Sequence, residues 1–257
     1  MKTISNILTI LVFAFSCNAQ ASDLAKEQRW ADAIEDTIMD GETMLLNDGT
    51  SDFLGIFTEA YEDKQRAAII MHGTGIHPDW SQVVRPLRVD LTEHNWHTLS
   101  IQMPILPNDA EYPEYAPLYD EVAPRINAAI EYLKEEGYKK IVLIGHSQGT
   151  AMGTYYLSKN KSDVIGFVGV SMPDLSGEER MMPTISLKTI NLPILDIYGS
   201  DDLESVLTTS EQRKASAKQA GNKNYTAVVV EGADHFFKGK NKELIKETAE
   251  WLKVLDQ

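Results

Sequence analysis

The pentapeptide Gly145-His146-Ser147-Gln148-Gly149 sets a serine between two glycines in the pattern G-x-S-x-G. A serine hydroxyl is a weak nucleophile at neutral pH. It attacks a carbonyl efficiently only when a nearby base takes its proton. Two later segments hold the residue types that such chemistry needs: Ser200-Asp201-Asp202 offers carboxylates, and Asp234-His235 offers an imidazole. His235 would accept the Ser147 proton and return it to the leaving group. A carboxylate on the other ring nitrogen would fix the tautomer and stabilise the imidazolium. Asp202 is the first choice for that carboxylate. Asp201 and Asp196 compete with it, and for each the alternative role is turn capping or a strand-end hydrogen bond. Asp234 is next to His235 and is badly placed to reach its ring.

The other five histidines read differently. His72 belongs to a glycine-rich loop, and His77 lies just beyond it. His94 and His97 flank Trp96 on what reads as an exposed helix end. His146 is next to the serine, and a tight turn would point it elsewhere.

The elements around these residues give the pattern its force. Residues 140–144 are apolar after Lys140 and read as a strand buried on both faces; residues 150–157 read as a helix. A strand, one sharp turn and a helix hold a serine hydroxyl clear of a sheet. Gly145 and Gly149 would let strand and helix approach closely. Residues 66–71 form a second apolar strand, which runs into His72-Gly73-Thr74-Gly75. A loop of this type can lend a backbone N–H to a developing oxyanion. Thr74 and Gln148 are the expected donors, and in a dry site two such fixed dipoles are worth several kcal/mol.

The rest of the chain supplies supports and walls. Residues 22–36 read as an amphipathic helix, and Asn47-Asp48-Gly49-Thr50 as the turn of an antiparallel hairpin. A helix is expected over 81–94 and a strand over 96–101. Residues 102–119 are rich in proline and tyrosine, which predicts a long loop past a strand's carboxyl end, where open sheets bind ligands. Tyr112 and Tyr115 in that loop, with Gly73, His77, Trp80 and Met172, are the candidate pocket residues; ordinary packing is the alternative for each. Residues 120–136 read as a helix and 164–170 as a buried strand. The short stretch 171–191 leaves room for only a minimal cap, so the pocket should be open. Strands at 193–199 and 225–230 precede the acid and the histidine, and a helix over 243–255 closes the chain.

Composition narrows the functions. The 257 residues, 43% hydrophobic, suit one α/β domain over 22–257. A net charge of −14 disfavours nucleic acid and anionic membrane surfaces as partners. Residues 1–21 combine Lys2, an apolar run over 7–15 too short to span a bilayer comfortably, and Ala19-Gln20-Ala21, which together predict a signal peptide cut before Ser22. Cys17 is the only cysteine. It follows Ala14-Phe15-Ser16, a poor lead-in for lipidation. Cleavage would leave an exported chain without thiols or disulfides, periplasmic or secreted, with no stable membrane insertion. Nothing in the pattern calls for a metal or an organic cofactor.

Four motifs together carry a resemblance: Gly145-His146-Ser147-Gln148-Gly149, His72-Gly73-Thr74-Gly75, Tyr198-Gly199-Ser200-Asp201-Asp202 and Gly232-Ala233-Asp234-His235-Phe236-Phe237. The chain resembles the α/β-hydrolase superfamily from about Phe53 to its final helix. Residues 75–80, 86–88 and 96–104 are more closely similar to a bacterial family of exported α/β-hydrolase-like proteins with no assigned function. The resemblance implies a central, mostly parallel, eight-stranded sheet flanked by helices, with Ser147, Asp202 and His235 as nucleophile, acid and base. It implies export and no substrate; the residues themselves point to a serine hydrolase acting on a small-molecule ester, with an amide or thioester as the alternative. Two alternatives stay open: acyl transfer to an acceptor other than water, and a non-catalytic exported binding or envelope protein that keeps the fold.

Overall fold

The computed structural model describes residues 22–62, 65–174 and 177–255. The expected leader over 1–21 lies outside the described residues. Eight strands form one sheet in the order β1-β2-β4-β3-β5-β6-β7-β8. They are β1 (Glu42–Asn47), β2 (Asp52–Thr58), β3 (Arg66–Met71), β4 (His97–Ile101), β5 (Lys140–His146), β6 (Val164–Val170), β7 (Ile194–Asp201) and β8 (Tyr225–Asp234). β1 and β2 pair antiparallel through the predicted Asp48-Gly49 turn, and β2 runs antiparallel to β4. From β4 through β8 every pairing is parallel.

The central strands are apolar on both faces because helices cover both. Successive side chains of a strand point to opposite sides. Ile141 and Leu143 therefore enter one core, and Val142 and Ile144 the other. Helices α3 (Tyr119–Glu135) and α4 (Gln148–Lys159) close the first face with Val122, Ile126, Leu133 and Met152. Helices α2 (Val84–Asp90) and, at the chain's end, α8 (Asn241–Leu255) close the second with Val84, Leu87, Leu244 and Leu252.

The amphipathic helix expected over 22–36 is α1 (Leu24–Glu35). Its Ala31 and Ile34 pack on Leu54 and Ile56 of β2. Its polar side ties down the segment after β4. Lys26 Nζ donates to the Leu106 carbonyl (2.9 Å), and Glu27 accepts from Ile105 N–H (3.3 Å) and from Arg125 (2.8 Å). Burial raises the Glu27 pKa to about 7, with Arg125 opposing that rise.

Three expectations need correction. The helix expected over 81–94 is two pieces, α2 and a 3-10 turn over Leu91–His94, entered through Val83 at φ 59°. Trp96 and His97 are not an exposed helix end: both are buried, and His97 opens β4. The stretch 102–119 is only partly a loop, since Tyr112–Leu118 forms a 3-10 helix and residues 102–106 are buried. Between β6 and β7, the described residues form short turns and the one-turn helix α5 (Pro183–Ser186), and Met181 and Leu187 sink into the first core. That connection is a packed corner, in keeping with the minimal cap expected.

Candidate active site

Ser147 stands in the turn between β5 and α4 with φ 52° and ψ −122°. Backbone in this region costs a non-glycine residue about 1–3 kcal/mol and persists only where the surroundings impose it. Here the glycines on either side let the main chains meet. A methyl group on Gly145 would lie 2.6 Å from the Gly149 carbonyl oxygen, and one on Gly149 would lie 2.4 Å from that of Met71. β5, β3 and the first turn of α4 thus touch backbone to backbone, and the chain leaves the sheet through a sharp reversal at Ser147.

The acid and the imidazole arrive from the ends of two later strands. Asp202 is the residue after β7, and His235 the residue after β8. With the Nδ1 proton on the ring, His235 donates to Asp202 Oδ1 at 2.6 Å, and its Nε2 accepts from Ser147 Oγ at 2.9 Å. Asp202 Oδ1 also accepts from Leu203 N–H (2.7 Å), and Oδ2 from Ser171 Oγ (2.5 Å) and Gly199 N–H (3.4 Å). Burial alone would raise the Asp202 pKa. The hydrogen bonds from His235 and Ser171, with the charge of His235, outweigh it and hold the carboxyl below its ordinary range. The competing carboxylates have other places. Asp201 is exposed. Asp196 is fully buried and grips Arg213 at 2.7 and 3.2 Å, with the Tyr225 hydroxyl donating to it.

The loop after β3 passes directly beside the serine, since a methyl group on Gly73 would sit 3.0 Å from Ser147 Cβ. His72 fixes this loop from below. Its Nδ1 donates to the Gly73 carbonyl (2.9 Å), and its Nε2 accepts from Met103 N–H (2.9 Å) and from the Gln102 amide (2.9 Å). Burial lowers the His72 pKa to about 3, so the ring stays neutral and keeps one donor and one acceptor side. Arg125 extends the brace by donating to the Gln102 carbonyl at 3.1 Å. Thr74 follows Gly73 on the exposed rim. Gln148 is the first residue of α4, so its N–H has no acceptor within the helix.

The candidate pocket residues divide. Gly73 is at the serine. His77 and Trp80 form an aromatic cluster with Trp30, at 5.5 Å and 5.0 Å from the His77 ring, and His77 Nδ1 accepts from Asp79 N–H. His77 is thus engaged as a packing and hydrogen-bonding fixture. Tyr115 is buried and its hydroxyl accepts from Leu106 N–H (3.3 Å); Tyr112 stacks on it at 6.5 Å. Met172 is fully buried in the first core against Gly169, so the structure corrects its placement on the pocket wall. A groove of about 700 Å³ lies at the far edge of the sheet between β8 and α8, lined by Leu195, Val228 and Trp251; Ser147 is not part of it. Among the described residues no group of three or more metal-ligating side chains converges.

Two residues that brace the site escaped the sequence reading. Ser171 and Arg125 carried no motif. His146, expected to point elsewhere, donates from Nε2 to the His235 carbonyl at 3.0 Å and packs 5.2 Å from its ring. Burial holds His146 neutral, with its pKa lowered to about 3. Position was the available signal for Ser171: it directly follows β6, at the same sheet end as the other three residues.

Comparison with known proteins agrees with this architecture. The esterase Pf2001 of Pyrococcus furiosus superposes with a TM-score of 0.66 at 17% identity, over 86% of this chain and 93% of that one. Est1E from Butyrivibrio proteoclasticus gives 0.64 at 16% identity, over 84% and 99%. An alpha-beta serine hydrolase homologue from Coxiella burnetii gives 0.64 at 24% identity, over 83% and 98%. At such identities the likeness establishes the α/β-hydrolase fold. No functionally curated protein matches the sequence significantly. The model of the family described as "Protein of unknown function (DUF3530)" matches residues 17–123 and 107–253, nearly the whole chain, and the protein belongs to that family.

Proposed function

We propose that this protein is a serine hydrolase that cleaves small carboxylic esters through an acyl-enzyme on Ser147. The observation that carries the reading is the unbroken line of hydrogen bonds from Ser147 Oγ through His235 to Asp202, at 2.9 and 2.6 Å. In this mechanism His235 Nε2 takes the Ser147 proton as Oγ bonds to the ester carbonyl carbon. The carbonyl oxygen becomes an oxyanion and is held by the main-chain N–H groups of Thr74 and Gln148. Collapse breaks the bond to the alkoxy oxygen, which leaves as the alcohol with the proton from His235. Water then attacks the acyl carbon and gives its proton to His235. The bond between the acyl carbon and Ser147 Oγ then breaks, His235 returns that proton to Oγ, and the carboxylic acid departs. Asp202 keeps Nδ1 protonated throughout, so Nε2 is the basic nitrogen when Ser147 must lose its proton.

The strained Ser147 backbone supports the reading, because such strain concentrates at sites that do chemistry. The ester preference draws on one neighbour, Pf2001 of Pyrococcus furiosus, being named an esterase. The chain's acidity fits an uncharged or cationic small molecule better than a polyanion. We also propose that the chain is exported after removal of residues 1–21, a reading that rests on their sequence alone. A panel of nitrophenyl esters of increasing acyl length tests the enzymatic reading. Wild-type protein should turn over at least the short esters, and Ser147→Ala should lose about 10³-fold or more in kcat. A folded wild type inert to the whole panel, or a Ser147→Ala variant as active as wild type, would overturn it.

A further inference from the structure

We infer that Ser171 is a positioning residue for the reaction proposed above: its hydroxyl grips the second oxygen of Asp202 and so aims the first at His235. Ser171 directly follows β6 and is fully buried. Its Oγ donates to Asp202 Oδ2 at 2.5 Å, and the His235 carbonyl lies 3.4 Å away as a weaker alternative acceptor. Its N–H donates to the Ile197 carbonyl at 2.8 Å, which fixes the main chain independently of the side chain.

The backbone gives the main argument. Ser171 sits at φ 55°, a conformation that glycine adopts freely and that other residues rarely do. Gly75, in the loop after β3, and Gly232, near the end of β8, hold comparable angles. At 171 the chain carries a side chain where a bare backbone would be less strained. What that side chain adds is a single donor, and the donor is spent on the acid. Its effect follows from the geometry of a carboxylate. Asp202 turns about its Cβ–Cγ bond unless both oxygens are held. Oδ1 has His235 and Leu203 N–H, whereas apart from Ser171 the bond to Oδ2 is the 3.4 Å contact from Gly199 N–H. Ser171 therefore supplies the short contact that sets the carboxylate plane, and with it the direction of the Oδ1 lone pair toward Nδ1. The same hydrogen bond helps to keep the carboxyl ionised. Ser171 acts through Asp202 and His235 and does not touch the reacting atoms.

Glycine separates this role from a structural one. Ser171→Gly relaxes the φ of 55° and removes the hydroxyl, so strain relief offsets part of the stability lost with the hydrogen bond and the variant should stay folded. Ser171→Ala also removes the hydroxyl but keeps the strain. Both variants should lose about 10-fold or more in kcat toward a nitrophenyl ester, with KM within about twofold of wild type. Proton NMR supplies a readout that needs no turnover: the low-field resonance of the His235 Nδ1 proton should move upfield or vanish by exchange in both variants. A Ser171→Gly protein that keeps the wild-type kcat and the wild-type Nδ1 resonance would show that Ser171 merely spans a turn. This inference rests on the proposed function, yet the two fail differently. If wild-type protein cleaves no ester, the function falls, and the Nδ1 resonance of wild type against Ser171→Gly still decides whether Ser171 orients the carboxylate.

Discussion

Asp202→Asn probes the acid with the least change in shape, and the structure predicts how the amide settles. The carboxylate receives donors on both oxygens: His235 Nδ1 and Leu203 N–H on Oδ1, Ser171 Oγ and Gly199 N–H on Oδ2. An NH₂ group in the Oδ1 position would face two N–H donors and force the wrong imidazole tautomer. In the Oδ2 position it faces a hydroxyl, which can rotate to accept, and an N–H at 3.4 Å. The amide should therefore take the second orientation and keep its carbonyl on His235. The tautomer survives and the charge is lost. A unit charge about 4 Å from the imidazolium is worth about 4 kcal/mol at an effective dielectric constant of about 20. At about 1.36 kcal/mol per factor of ten, that is about 10³-fold in kcat/KM. The assay is hydrolysis of a short nitrophenyl ester, with Asp201→Asn alongside. The exposed Asp201 should leave the rate within about twofold of wild type. A loss under about tenfold in Asp202→Asn, or an equal loss in Asp201→Asn, would refute the assignment of the acid.

Three further outcomes follow. Gly73→Ala puts a methyl group 3.0 Å from Ser147 Cβ and 3.4 Å from the His146 carbonyl, so the loop must shift by tenths of an ångström; kcat should fall about 10- to 100-fold, and a rate within twofold of wild type would contradict the placement of that loop. Stability should fall on acidification below about pH 6.5. His72 and His146 have folded pKa values near 3, so their contribution is complete above the ordinary histidine pKa and is lost as pH drops toward 3. Glu27, raised to about 7, opposes one of them between about pH 4.5 and 7, since its protonated form favours the fold as pH decreases. Stability measured by urea unfolding should fall between pH 6.5 and 4.5 and more steeply below, with His77, also lowered by burial, adding to the fall; a flat profile across that window would contradict the buried neutral histidines. Finally, protein recovered from the envelope or medium of an expressing bacterium should have the intact mass of a chain that starts at Ser22, and retention of residues 1–21 would refute export by cleavage.

The site was largely legible because each of its residues directly follows a strand that the sequence marks. Ser147 comes after a run of four apolar residues, Asp202 and His235 after two further apolar runs, and strand ends in a parallel sheet share one edge. Local spacing gave the elbow as well, since Gly145 meets Gly149 only four residues on, whereas the approach of Gly149 to Met71 shows only in the fold. Contacts between distant residues were not legible. Nothing in residues 102–119 announces that α1 will pin Ile105 and Leu106 through Glu27 and Lys26, so the first part of a segment that looks like an exposed loop, residues 102–106, is buried. Tyr115 and Met172 are apolar enough for either a pocket or a core, and only packing decides. The choice among Asp196, Asp201 and Asp202 turned on Arg213, seventeen residues beyond Asp196, which claims that carboxylate as a buried ion pair. Ser171 offered only its position after β6, because its strained backbone becomes visible only once the turn is built.

The most direct measurement is intact-mass analysis after treatment with a fluorophosphonate, which phosphonylates only a serine activated by a correctly placed base. Wild-type protein should gain a single adduct, mapped by peptide sequencing to Ser147, while His235→Ala reacts far more slowly and Ser147→Ala not at all. An unmodified wild type, or an adduct that persists in Ser147→Ala, would contradict the account.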